Sequence, residues 1–475
     1  MRVPDLQSHR QTRILATLGP ATEEEETIGA LLDAGASLFR LNMSHAKPDW
    51  ARTVVQRIRS AAAARQRVVG ISMDLQGPSI RTGDVPEPIV LRAGEKFNFT
   101  TDPAQAGPRC VTVNYPNFVN DLEEGAIIQV DNGLIRLHVL RAEGALAECE
   151  VEVGGELGSR RHINLPGTTV QLPALTEKDH AAVDLALELE VDYVALSFVR
   201  EAADIEALRA LLADAPHPPR VIAKIEDQRA VENLDALIVA ADAVKVARGD
   251  LGVECPYEDL PILQRRIVRA CQLAGKPVIV ATHMLESMIG EPMPTRAEVT
   301  DVANAVFEQA DAVMLSGETS VGKFPVRTVE AMDRIARRME REPGAAFYRE
   351  ALPADPRQSI ARAAVRLAED VDAAAVVVFT REGRLVPEVA WRRPGAPILA
   401  LCPDEPVARS LSLRRAVVPV VLDWDDHAED HAVDQSLHEL VQRGHLQAGD
   451  TVVILSSLRA IESIAEDVQL RTVGD

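Results

Sequence analysis

Cysteine is scarce in this chain: Cys110, Cys149, Cys255, Cys271 and Cys402 are five in 475 residues. Odd in number, scattered and without a Cys-x-x-Cys pair, they carry neither a disulfide framework nor a zinc site and fit a reducing cytoplasm. Long apolar runs are missing as well. No stretch reaches the roughly 18 uninterrupted apolar residues that mark a membrane helix, and the polar opening over residues 1–10 has no apolar export core. The expectation is a cytoplasmic protein with no membrane partner. Positive charge is in deficit: 51 Lys+Arg against 72 Asp+Glu give a net charge of −21. That balance disfavours nucleic acid and anionic membranes, and an anionic small substrate would need its own local basic cluster. There is no low-complexity tract either. What is present, 47% hydrophobic residues over 475 positions, reads as two or three globular domains with a large core.

Short β-branched or apolar runs alternate with longer periodic ones. The predicted strands cover 13–18, 37–41, 68–75, 191–197, 220–225, 242–247, 277–282 and 311–316, with helices such as 23–34, 49–64, 177–189, 201–213, 260–274 and 296–309 between them. Eight β-α units predict a closed parallel (β/α)8 TIM barrel. The rhythm is interrupted over about 83–167 by short alternating runs and Pro/Gly turns, which predict a small all-β domain. Following the third barrel strand, it lies at the end where barrel active sites are built and suits a lid. After a Pro-, Ala- and charge-rich linker over 341–356, alternation resumes as a separate doubly wound α/β unit. The expected division is 1–82 with 168–343 for the barrel, 83–167 for the inserted β-domain and 344–475 for the carboxyl-terminal domain.

Chemistry is expected where barrel strands end. Lys224 and Glu226 are two apart, so on a strand they share a face, and Asp250 closes the next strand. A cation beside two carboxylates suits a divalent metal with oxygen ligands and a phosphorylated substrate, although a structural salt bridge would use the same residues. Other strand ends agree. Arg40, Asn42 and Ser44 alternate with Leu41 and Met43, and Asp74, Thr282 and Ser316 close three further strands.

Three other motifs point elsewhere and fail. Gly317-Glu318-Thr319-Ser320-Val321-Gly322-Lys323 fits the first seven positions of a Walker A loop, but Phe324 stands where the metal-binding hydroxyl belongs. His427 and His431 lie four apart in an acidic, solvated stretch, which reads as surface. Arg248-Gly249-Asp250 ends an apolar strand and is not an exposed adhesion tripeptide.

Taken together, Phe39-Arg40-Leu41-Asn42-Met43-Ser44-His45, Lys224-Ile225-Glu226, Ala281-Thr282-His283-Met284-Leu285-Glu286-Ser287-Met288 and the blocks over 247–254, 294–298 and 311–319 resemble pyruvate kinase. The resemblance runs from Thr17-Leu18-Gly19-Pro20 into the carboxyl-terminal domain. It implies phosphoryl transfer from phosphoenolpyruvate to ADP, on a (β/α)8 barrel with an inserted β-domain and an α/β regulatory domain, in a homotetramer. It further implies that Lys224 neutralises the phosphoryl group in flight and that Glu226 and Asp250 hold Mg2+ or Mn2+. Backbone amides near Gly249 and Asp250 would receive the substrate carboxylate. Thr282 and Ser316 match positions that orient carboxylate and water and protonate the enolate carbon, directly or by a water relay. Arg40, Arg81 and Lys178 match phosphate-proximal cations, His45 a residue near the nucleotide base, and Asp131 a lid position that reaches the nucleotide on closure.

The family's potassium site is matched by Asn42, Ser44, Asp74 and the carbonyl of Leu75. The next residues depart from it. Potassium-dependent members typically read Thr-Lys-Gly-Pro-Glu after the Asp and independent ones Leu-Gln-Gly-Pro-Lys; this chain reads Leu75-Gln76-Gly77-Pro78-Ser79. A neutral Ser79 neither attracts a monovalent cation nor supplies one, so weak or absent potassium dependence is expected. Thr380-Arg381-Glu382-Gly383-Arg384 and Leu458-Arg459-Ala460-Ile461-Glu462 replace the phosphate-binding segments of fructose-bisphosphate-regulated members, and Glu382 and Glu462 would repel phosphates. No activation by fructose bisphosphate is expected. A catalytically silent phosphoenolpyruvate or pyruvate sensor, or a lyase on the same barrel, is the other reading; the complete set Lys224, Glu226, Asp250 and Thr282 argues against both.

Overall fold

The structure, a computed structural model, describes residues 10–168, 170–422, 429–460 and 463–474. Residues 1–9, His427, Ile461 and Glu462, on which some of the expectations fall, lie outside the described residues. Eight parallel strands close into a barrel: β1 (Arg13–Thr17), β2 (Leu38–Asn42), β3 (Gly70–Asp74), β4 (Tyr193–Leu196), β5 (Arg220–Ile225), β6 (Ala243–Ala247), β7 (Val278–Ala281) and β8 (Ala312–Leu315). Each sits within a residue or two of its predicted span. The strands are Val-, Ile- and Leu-rich because both faces are buried.

Alternation sorts the two faces. Leu15, Leu38, Tyr193, Ala195, Ile222, Ala243, Ile279, Ala281, Ala312 and Met314 fill the barrel interior. Their neighbours Val194, Leu196, Val221, Ala223, Val244, Val246, Val278 and Val280 join the main core with the surrounding helices. Several helix starts are fixed by side-chain caps, with reciprocal capping boxes at Thr176/Asp179 and Thr295/Glu298. These caps set where the loops at the strand ends must stop.

Between β3 and β4 the chain builds a six-stranded sheet and a two-stranded one from short strands between Ile89 and Asn164. Phe97, Phe99 and Phe118 pack edge-on or tilted at its centre, in a core of its own. The carboxyl-terminal sheet has the order Val417–Val421, Ile398–Cys402, Ala375–Phe379, Thr451–Ala460, Ser463–Thr472. Its first four strands are parallel and cores lie on both faces, as expected of a doubly wound unit. The fifth strand differs from expectation. Ser463–Thr472 pairs antiparallel with Thr451–Ala460 in a long hairpin, so the sheet is mixed. Its Glu466, Asp467, Gln469 and Arg471 hide the apolar signal a strand usually shows.

Candidate active site

At the carboxyl ends of the strands the inward positions turn from apolar to charged. Arg40 on β2, Asp74 on β3, Lys224 on β5 and Lys245 on β6 are all buried, and Lys224 and Lys245 face each other in register. Asp74 is the hub. Its Oδ2 accepts Arg40 Nε at 2.7 Å, and Lys245 Nζ stands 2.8 Å from both carboxylate oxygens. Burial alone would raise the Asp74 carboxyl, but Arg40, Lys245 and Lys224 hold it far below the usual carboxylate range. Lys245 shows the opposite balance, pushed down to about 8 by burial despite Asp74.

Lys224 is aimed differently. Its Nζ donates to Ser197 Oγ at 2.7 Å, and Ser197 Oγ donates onward to the Leu75 carbonyl at 2.7 Å. Glu226 Oε1 lies 2.7 Å from Lys224 Nζ, but off hydrogen-bond direction, so it is a buried oxygen in an ion pair without a hydrogen bond. The other oxygen, Oε2, accepts the Phe198 amide at 2.6 Å. Burial works against the charge on Lys224, yet Glu226, Asp74 and Asp250 outweigh it and raise its pKa, so the ammonium stays charged. Glu226 is raised by burial and by the neighbouring Asp250 charge, against the pull of Lys224.

Backbone strain gathers here. Thr282, a β-branched residue, has φ +67°, and Phe198 and His283 have φ +53° and +55°. Arg248 explains how Thr282 is held: its guanidinium donates to the Ala281 and Thr282 carbonyls and pairs with Asp301 at 2.6 Å. Thr282 Oγ1 in turn accepts the Gly249 amide at 2.7 Å. Gly77 allows the approach of Ser197. It has φ +68°, and a Cβ there would stand 2.9 Å from that of Ser197. Ser316 Oγ is buried without a partner, while the Ser316 and Leu285 amides both donate to Glu318.

The sequence-predicted residues divide accordingly. Arg40, Asp74, Lys224 and Glu226 come together in one buried cluster, and Asp250 acts on it from the following helix, Arg248–Glu254. Thr282 and Gly249 touch each other, so the Gly249 amide, expected to be free for a carboxylate, is already engaged. His45 and Lys178 are exposed, and Arg81, half-buried, donates from Nε to Ser79 Oγ at 3.2 Å. Asp131, in the inserted domain, pairs with Arg161 at 3.3 Å. Ser197, the Phe198 amide, Lys245 and Arg248 were missed. Lys245 did leave a signal, a charge in the middle of Ala243-Val244-Lys245-Val246-Ala247.

Glu226 and Asp250 fit a divalent cation by the chemistry of the donors, two adjacent carboxylates with a buried oxygen lacking a hydrogen bond. Among the described residues no cluster of three or more His, Cys, Asp or Glu forms a metal cage. Magnesium commonly takes one or two carboxylates and completes its shell from substrate and water. The potassium set does not fit. Both Asp74 oxygens are taken by cations of the chain, the Leu75 carbonyl accepts Ser197, Asn42 Oδ1 accepts the Ser44 amide at 3.3 Å, and Ser44 is exposed.

A cleft of about 240 Å3 separates this cluster from the inserted domain, with Glu226, Phe198 and Arg200 facing His162 and Asn164. Asn164 bridges it, donating to Glu254 at 2.8 Å. A shallower groove by Arg209, Asp242 and Lys276 lies at the amino-terminal ends of the strands, away from the cluster.

Fold and site together define a barrel enzyme equipped for phosphoryl chemistry. Two family profiles match the chain, "Pyruvate kinase, barrel domain" over residues 9–329 and "Pyruvate kinase, alpha/beta domain" over 358–464. It is 38% identical to plastidial pyruvate kinase 2 of Arabidopsis thaliana, over 94% of this chain and 78% of that protein. It is 39% identical to pyruvate kinase of Methylorubrum extorquens, over 94% of both chains. Among solved structures, a pyruvate kinase from Cryptosporidium parvum superposes with a TM-score of 0.92 at 34% identity, covering 99% of this chain and 98% of that one. The chain belongs to the pyruvate kinase family.

Proposed function

We propose that this protein transfers the phosphoryl group of phosphoenolpyruvate to ADP, giving ATP and pyruvate in glycolysis. The bond from phosphorus to the enol oxygen breaks, a bond to the terminal ADP oxygen forms, and the enolate takes a proton at carbon. The observation that carries this reading is Lys224: a buried ammonium fixed by Ser197 beside a carboxylate whose inner oxygen lacks a hydrogen bond. There it meets the charge that spreads over the phosphoryl oxygens in transfer.

Glu226 and Asp250 would hold Mg2+ or Mn2+, which supplies positive charge to the carboxylate and enolate oxygens of the substrate. Thr282 gives up its bond to the Gly249 amide when a substrate carboxylate takes that amide. Ser316, its hydroxyl unpartnered, relays the proton to the enolate carbon through water or directly. Arg40 and Arg81 provide the basic lining that an anionic substrate needs on an acidic protein, with Lys178 and His45 at the nucleotide. The inserted domain over 83–167 closes on the barrel of 1–82 and 168–343, and the domain over 344–475 carries regulation. Glu382, already paired with Arg384 at 2.7 Å, supports the absence of a fructose-bisphosphate site. A cytoplasmic homotetramer that does not bind nucleic acid completes the reading.

Pyruvate release coupled to lactate dehydrogenase tests it. Turnover is expected with phosphoenolpyruvate, ADP and Mg2+, and Lys224→Met should abolish it while Mn2+ still binds. Mn2+ and phosphoenolpyruvate binding without turnover in the unaltered protein would instead establish the silent sensor.

A further inference from the structure

The chemistry proposed above uses Lys224 and leaves the second interior lysine unexplained. Lys245 is 1% exposed, in mid-strand, beside the apolar layer of the barrel interior that includes Ala243, Ile279 and Ala281. A buried ammonium is costly, and here it meets a single carboxylate with both oxygens at 2.8 Å. That carboxylate is Asp74, which also orients Arg40 and acts electrostatically on Lys224. Asp74 is in turn the one side-chain carboxylate of the potassium set, and its oxygens are full.

We propose that Lys245 is a positioning residue that takes the place of a bound monovalent cation: its ammonium is a resident charge that holds Asp74, and through it Arg40, in working geometry without potassium. This deepens the phosphotransfer reading and rests on it. Two features make the substitution physically complete. The ammonium carries the same unit charge as the ion, and it is tethered, so no entropy of ion capture is lost in each folded molecule. The Leu75 carbonyl and Asn42 Oδ1 are meanwhile satisfied within the chain, by Ser197 and by the Ser44 amide, leaving no half-built cage that an ion must fill. Ser79, the position where the sequence lacks a fixed charge, accepts from Arg81 and needs no charge of its own.

The test compares wild type, Lys245→Ala and Lys245→Met in buffers of equal ionic strength with either potassium or tetramethylammonium as the cation. Lys245→Ala leaves room for an ion, and Lys245→Met fills the space should the smaller residue fail to fold. Wild type is expected to turn over within about twofold in the two buffers, whereas the alanine variant should fall about 100-fold without potassium and recover much of this with it. A second readout is independent of activity. Potassium should raise the melting temperature of the alanine variant relative to tetramethylammonium and leave that of wild type unmoved. Strong potassium activation of wild type overturns the inference, as does a variant that is fully active without potassium or one that loses activity with no potassium-specific recovery or melting shift. If no variant folds, the wild-type comparison alone decides: potassium-independent turnover and melting support the inference, and dependence overturns it. Absence of turnover by wild type in saturating potassium would reject the phosphotransfer reading itself, a different result from potassium-dependent turnover.

Discussion

Both ends of this barrel bury charge, and they bury it in different ways. At the amino-terminal end, carboxylates are met by arginines of the carboxyl-terminal domain. Asp311 takes a two-pronged contact from Arg393 at 2.9 and 2.7 Å and the amides of Arg415 and Val278. Asp192 receives Arg409 at 2.8 Å, Arg59 at 3.1 Å and the Ile71 amide. Among the described residues, the buried atoms left without a hydrogen bond there are mostly guanidinium donors, such as Arg393 Nε and Arg415 Nε, with one amide oxygen, Gln272 Oε1. At the carboxyl end, among the described residues, Glu226 Oε1, ion-paired with Lys224, and Ser316 Oγ are buried oxygens without a hydrogen bond, and two lysines, Lys224 and Lys245, join Arg40 as the buried cations. Forked guanidinium pairs fix one domain against another, whereas a buried oxygen without a hydrogen bond beside an ammonium keeps capacity for a further partner. The salt bridge first considered for Lys224 and Glu226 is present at 2.7 Å, and buried ion pairs therefore occur at both ends of the barrel.

The contrast can be broken or sharpened by substitution. Lys224→Met should cost the most in activity, about a thousandfold in turnover per folded molecule, read by the coupled assay with the folded fraction taken from calorimetry. Glu226→Gln should weaken Mn2+ binding by at least about tenfold, measured from the paramagnetic spectrum of free Mn2+, because the variant loses the charge that the ion requires. Arg393→Met at the other end should lower the unfolding free energy by about 3 kcal/mol, because Asp311 keeps its buried charge and loses its fork; denaturant titration measures this.

The smallest effect is one of pH. Glu254, bridged to the inserted domain by Asn164, is raised to about 7 by burial, with Asp227 and Asp250 adding to the rise and Asn164 and Arg200 opposing it. A carboxyl whose folded-state pKa exceeds its unfolded value holds its proton more tightly when folded. It costs stability as pH rises from its unfolded value through about 7. Glu254→Gln should therefore melt roughly 2 °C above wild type at about pH 8 and together with it at about pH 4, in paired thermal scans.

Much of this is legible in the sequence. The eight strands show themselves because both faces are apolar, and Lys224, Glu226 and Asp250 stand out because charge at the end of such a strand has few structural uses. Lys245 was passed over because, in mid-strand, only the barrel interior reveals which face it takes and that Asp74 waits across it. Ser197 and the Phe198 amide belong to a turn whose positive φ no propensity announces. The last strand was missed because its charged residues mask an edge position.

One paired measurement bears most directly on the difference between the two ends: turnover per folded molecule for Lys224→Met and Arg393→Met, with folded fraction taken from the same samples by calorimetry. The account predicts loss of about a thousandfold for the first and a change within about twofold for the second. An Arg393 variant as inactive as the Lys224 variant while folded, or a Lys224 variant as active as wild type, would contradict it.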